Sequence, residues 1–209
     1  MSTPSVNASD LFKGRFSAEK YQSSNPISRF LVHNFLTTLM ALVQSTGATE
    51  VHEVGCGEGQ ILGLCARRGL SVRGCDFSND AIAVAVEESK QSGLDIPIAQ
   101  KNIYDLDPAV DAAELVICCE VLEHLTNPEQ ALLKLLSITK QDLIVSVPRE
   151  PLWHILNMAR GKYLTALGNT PGHINHWSKG QFVDFVGVHA TIQGVRSPLP
   201  WTIVHCRPR

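Results

Sequence analysis

Two short stretches of this 209-residue chain carry side chains suited to chemistry. The first is Glu53-Val54-Gly55-Cys56-Gly57-Glu58-Gly59, where an acid runs into three alternate glycines and a helical pattern follows. Such a turn lets backbone N–H groups approach a ligand with no Cβ in between. A pyrophosphate fits poorly, because Glu53 and Glu58 would repel it; an ammonium or sulfonium group would be attracted. The second stretch is Glu120-Val121-Leu122-Glu123-His124, with two carboxylates at i and i+3 and an imidazole beside them. That set suits a hard or borderline divalent cation. It equally suits a base that takes the proton of a hydroxyl acceptor. The plainer alternative has Glu123 and His124 capping a helix and fixing the neighbouring loop. His173 and His176, in Gly172-His173-Ile174-Asn175-His176-Trp177, join His124 as candidate catalytic bases.

The positioning elements follow from periodicity. Apolar residues recur at helical spacing from Ile27 through Phe30, Leu31, Phe35, Leu36, Leu39 and Val43, and Gly47 stops the pattern. Strands are expected at 50–54, 70–75, 97–101, 114–119 and 142–148. Helices are expected over 59–68, from the Ser78 cap to about 91, and over 128–136. Strands alternating with helices imply a parallel sheet in a three-layer α/β sandwich, with ligands bound outside the C-terminal strand ends. Segments 190–196 and 201–206 read as a terminal antiparallel hairpin. The expected organisation is a single domain. Within it, 1–47 is a helical cover, 48–148 the core, 149–189 an acceptor-site insertion or lid, and 190–209 the hairpin. The insertion holds Trp153, Arg160, Lys162, Tyr163 and Trp177 and breaks the strand–helix rhythm, which marks it as functional.

Composition narrows the function classes. Apolar residues make up 44% and charged residues 18%, so the chain folds around a sizeable core. A net charge of −2 with no Lys/Arg run argues against nucleic acid as partner. Six scattered cysteines with no CxxC pair argue against structural zinc and for reduced core thiols. No signal sequence and no apolar run of membrane-spanning length is evident, so a cytoplasmic protein is expected.

The motifs together resemble those of the class I S-adenosylmethionine (SAM) dependent methyltransferases. Glu53 to Gly59 resembles their first motif. Gly74-Cys75-Asp76-Phe77-Ser78, with Asp76 twenty-one positions after Gly55, resembles the second. Leu115 to Leu125 resembles the fourth. The resemblance covers roughly residues 50 to 150, in the right order and spacing. It implies a Rossmann-like fold with a mostly parallel seven-stranded sheet. It also implies a SAM site, with S-adenosylhomocysteine (SAH) as product, built from Glu53, Gly55, Cys56, Gly57, Gly59, Asp76, Phe77, Asn102, Ile103 and Glu120. Asp76 would bind the ribose hydroxyls and Glu53 would order the methionine amine. Asn102 stands where the family generally has Asp, so either it or Asp105 would meet the adenine amine. An N-terminal aromatic, Tyr21, could cover the cofactor.

The Glu120–His124 pattern is similar to that of ubiquinone-biosynthesis O-methyltransferases and small-RNA 2′-O-methyltransferases, some of which use a divalent metal. A later histidine completes the site in the small-RNA enzymes. The implied metal set, for Mg²⁺ or Mn²⁺, is therefore Glu120, Glu123, His124 and His173. The function implied is methylation of a small-molecule hydroxyl, with the acceptor and at most a second copy of the chain, as a homodimer, for partners. The alternatives are a 2′-O-methyltransferase acting on RNA ends and a SAM-binding regulatory subunit without catalysis.

Overall fold

A computed structural model describes residues 25–153, 156 and 173–209. Tyr21, Arg160, Lys162 and Tyr163 lie outside the described residues. The chain enters helix α1 (Pro26–Thr46) through an Asn25 cap, whose side chain accepts from the backbone N–H of Ile27 and Ser28, with Pro26 in the first turn. Gly47 ends it in the left-handed conformation at φ 72°. By length and composition alone α1 could cross a membrane, contrary to the expectation that no apolar run is long enough. Its apolar stripe, which includes Phe35, Leu36, Leu39 and Val43, instead shares a core with Leu115, Ile117 and Trp201. Full burial of one such side chain stabilises by roughly 1.5–3 kcal/mol.

Five strands alternate with helices as the spacing predicts. They are β1 (Glu50–Val54), β2 (Ser71–Asp76), β3 (Ile98–Gln100), β4 (Ala113–Cys119) and β5 (Thr139–Pro148). Between them lie α2 (Gln60–Ala66), α3 (Asn79–Gln91), the single turn α4 (Pro108–Asp111) and α5 (Pro128–Ser137). Helix α6 (Lys179–His189) then leads into β6 (Ala190–Arg196) and β7 (Trp201–Pro208). The sheet order is β3-β2-β1-β4-β5-β7-β6. β1 to β5 pair in parallel, while β7 runs antiparallel to both β5 and β6. The expected Rossmann-like sandwich with its terminal antiparallel pair is what the chain forms.

Chain direction across the sheet reverses between β1 and β4, which makes their C-terminal ends the switch point where such sheets bind ligands. Helix α6 was not legible as a separate element. Only Phe182 and Val186 are buried along it, and Gly180 and Gly187 weaken its helical signal. A full capping box between Ser178 and Gln181 starts it, and both buried residues join the core beside Val204. All six cysteines are free and buried. Burial pushes the Cys65, Cys75 and Cys206 thiols up to about 12, so they act as small hydrophobes.

Candidate functional site

The glycine turn after β1 is built by its neighbours. Gly55, Gly57 and Gly59 adopt φ values of 75°, 53° and 76°. The backbone N–H groups of Gly55 and Cys56 both donate to the Cys75 carbonyl, at 2.8 and 3.0 Å. At Gly55 the need for glycine is doubly strict. A Cβ there would lie 2.4 Å from Cγ2 of Val121, so the turn after β4 rests directly on the turn after β1. The Cys56 side chain points away from this crevice and packs with Leu62 and Ile96. Its contribution to a ligand is therefore limited to backbone.

Asp76, at the end of β2, braces the turn. Its Oδ2 accepts from the Gly57 N–H at 2.7 Å and its Oδ1 from the Ser78 N–H at 2.8 Å. Capping of α3 falls instead to Ser78, whose hydroxyl accepts from Ala81 N–H. Each Asp76 oxygen keeps a second lone pair, which suits a vicinal diol. Glu53 lies one strand inward and is only 3% exposed. Burial drives its carboxyl well above the usual carboxylate range; the Leu62 backbone N–H offsets this in part, and the Asp76 charge adds to it. Its Oε2 has no hydrogen-bond partner among the described residues. A buried acceptor left unmade costs ~1–3 kcal/mol, so this oxygen fits a ligand that arrives with a donor.

Three residues expected at an adenine end lie at and beyond the end of β2. Phe77 follows Asp76 and is 73% exposed, an apolar ring presented to solvent beside the crevice. Asn102 caps the 3-10 turn Ile103–Asp105 by accepting from Tyr104 N–H at 3.1 Å, which leaves its amide group one further acceptor direction. Ile103 is in the core with Val54 and Cys75, so its side chain floors the turn more than it lines an open face.

Across the crevice stands Glu120, at φ 60° the only left-handed residue other than glycine among the described residues. That conformation costs roughly 1–2 kcal/mol for an L-residue. Its Oε1 accepts from the Ser146 hydroxyl at 3.1 Å and its Oε2 from the Trp201 indole N–H at 2.6 Å. Glu120 is thus bonded to two donors on β5 and β7. Glu123, His124 and His173 do come together, with one ligand atom of each within 4.8 Å of the others. The second half of the insertion is stitched to this turn, because the Glu123 carbonyl accepts from Ile174 and Asn175 N–H at 2.9 and 3.0 Å. The Asn175 amide also donates to the Leu122 and Leu125 carbonyls. The Glu123–His124 turn is a 3-10 turn and not the cap of a helix; α5 is capped by Asn127.

The His124 and His173 rings meet edge to face at 4.8 Å, and Trp153 stacks on His173 at 6.0 Å. Trp153 in turn meets Trp201 at 5.9 Å. His176 is not part of this group: its Nδ1 lies 3.7 Å from Glu150 Oε1 on an exposed side. Ser146 and Trp201 escaped the sequence reading altogether. Their relation to Glu120 exists only through the β4–β5 and β5–β7 pairings, which no local pattern announces.

Residues 52–145 match the methyltransferase domain family. Over residues 52–145 the chain resembles the SAM-dependent methyltransferases. The chain is 32% identical over 133 residues to a ubiquinone biosynthesis O-methyltransferase of Rickettsia conorii, a match covering 62% of this chain and 45% of that protein. The chain thus spans about half the length of the curated relatives it matches. The magnesium protoporphyrin IX methyltransferase of Synechocystis, crystallised with bound SAH, has the same fold. Its TM-score is 0.71 at 16% identity, covering 93% of this chain and 95% of that one. The small RNA methyltransferase HEN1 matches with a TM-score of 0.68 at 19% identity, over 84% of this chain and 25% of that one. At these identities the last two establish the fold of the methyltransferase domain and nothing finer.

Proposed function

We propose that this protein transfers a methyl group from SAM to a hydroxyl oxygen of a small molecule in a cytoplasmic biosynthetic reaction. The observation that carries the proposal is Glu53 Oε2, a buried oxygen with no partner among the described residues, on the strand whose glycine turn meets Val121, three residues before His124. Asp76 would hold the ribose diol through its remaining lone pairs, Glu53 the methionine amine, and the backbone of Gly55 and Gly57 the methionine carboxylate side. Phe77 would cover the adenine. When bound, SAM supplies a methyl group on a sulfonium, so the leaving group is neutral and needs no acid.

The remaining work is positional. Holding an acceptor oxygen in line can lower a barrier by ~7–11 kcal/mol in well-oriented systems. Trp153, stacked on His173, gives the acceptor a flat wall. His124 or His173 takes the hydroxyl proton. Glu123, His124 and His173 are also close enough to hold Mg²⁺ or Mn²⁺, which when bound would acidify the acceptor hydroxyl. Names of the curated relatives support the O-methyl reading, since the matched stretch includes Glu120 to His124. A second reading, methylation of RNA ends, draws on the small RNA methyltransferase neighbour, and the net charge of −2 weighs against it.

The test is His173→Ala in a hydroxyl-acceptor screen with SAM as donor. Turnover falls by ~10²-fold or more while SAH affinity stays within about twofold. Equal loss of turnover and SAH affinity would make His173 structural and remove it from the acceptor site.

A further inference from the structure

We infer that Trp201, at the start of β7, is a positioning residue for methyl transfer, acting through Glu120 by its indole N–H. The inference rests on the cofactor reading above, in which the end of β4 faces the methionine part of SAM. Three observations carry it. Glu120 sits in left-handed backbone at φ 60°, a conformation that the chain maintains against its cost. Its carboxylate reaches across two strands to Ser146 on β5 and Trp201 on β7, and each oxygen receives one donor. Trp201 itself is 3% exposed, and Ser146 is fully buried, so neither donor competes with water.

The strain and the two bonds explain each other. The left-handed turn and the two donors together fix the Glu120 carboxylate beside β5 and β7. Glu120 is not in the candidate cation group of Glu123, His124 and His173. The two carboxylates of one short motif are thereby divided, Glu120 to the cofactor and Glu123 to the acceptor. Trp201 couples the halves, because its ring meets Trp153, and Trp153 meets His173. Phe35 of α1 holds the other side of the indole at 4.9 Å.

A double-mutant cycle read by calorimetric titration of SAH into the full chain separates this role from simple packing. Trp201→Phe removes the N–H and keeps an aromatic ring, though a smaller one, so the difference between the two Glu120 backgrounds, not the size of the loss, carries the result. In the Glu120 background it should weaken SAH about tenfold, the loss expected for one hydrogen bond to a charged group. In the Glu120→Gln background the same substitution should weaken SAH by less than about twofold, because the charge that the indole N–H holds in place is gone. Ser146→Ala should follow the same pattern and serves in place of Trp201→Phe if that variant does not fold. Equal losses in both backgrounds would make Trp201 a packing residue and overturn the inference. So would a Trp201→Phe protein that binds SAH normally while Glu120→Gln does not. If Glu120→Gln leaves SAH affinity intact while the parent protein binds SAH, only the placement of Glu120 fails. No binding by the parent protein would strike the methyltransferase reading itself.

Discussion

Replacing Glu53 by Gln should make the ligand-free protein more stable and the cofactor site worse. Glu53 is 3% exposed, and its Oε2 has no partner among the described residues. Burial holds its carboxyl well above the usual carboxylate range, with the Asp76 charge adding to the shift against the Leu62 N–H. A folded-state value raised above the unfolded one means that unfolding favours ionisation. The stabilising contribution of the protonated form is complete below the unfolded value of about 4.3 and is lost as pH rises through the higher folded value. E53Q removes that loss. The glutamine amide stays buried with donors of its own to satisfy, so the gain is confined to the avoided ionisation cost and grows with pH, by ~1.4 kcal/mol for each unit that the folded value exceeds the unfolded one. Thermal unfolding of both proteins between pH 4 and 8 should give curves that diverge upward in favour of E53Q. SAH affinity should fall about 10- to 100-fold through the lost charged hydrogen bond. Binding to the parent protein should also release protons, seen as buffer-dependent heat, as Glu53 ionises against the ligand's ammonium. An E53Q protein with unchanged Tm at pH 8 and unchanged SAH affinity would refute this account of the buried acid.

Gly55→Ala should destabilise by ~2–5 kcal/mol, combining a left-handed alanine with a Cβ 2.4 Å from Val121 Cγ2. Gly57→Ala meets nothing within 4 Å and should cost only the backbone part, so urea midpoints for the two should separate clearly. Asp76→Ala should weaken SAH by ~1.5–3 kcal/mol, measured by titration, because the ribose and the Gly57 brace both lose a carboxylate. Asp142 is a control far from chemistry. Its burial raises the carboxyl, but hydrogen bonds from Arg207 and His205 outweigh this and hold it below its ordinary value. Its stabilisation is present above the unfolded value of about 3.9 and is lost as pH falls through the folded one. Asp142→Asn should therefore be less stable at neutral pH and lose less of its remaining stability below pH 4.

The core and the glycine turn after β1 were legible because their signals are local. Apolar stripes gave the helices, and the turn chemistry at Gly55 and the acid at the end of β2 stand within a few residues of the strands that present them. The fold of the α/β core follows from that alternation. Helix α6 was missed because two buried side chains and two glycines leave almost no period to read. The division between Glu120 and Glu123 was missed for a different reason. At i and i+3 they look like one ligand set, and only a left-handed φ at Glu120 with donors 26 and 81 residues away separates them. His176 likewise shares a short segment with His173, yet its partner is Glu150.

The most direct test of the central claim is calorimetric titration of SAM and SAH into the metal-stripped protein, repeated with Mn²⁺. The account predicts micromolar binding of both compounds without metal, through Glu53, Asp76 and the glycine turn, and additional heat for Mn²⁺ that Glu123→Gln abolishes. Absence of SAM and SAH binding under both conditions would contradict it.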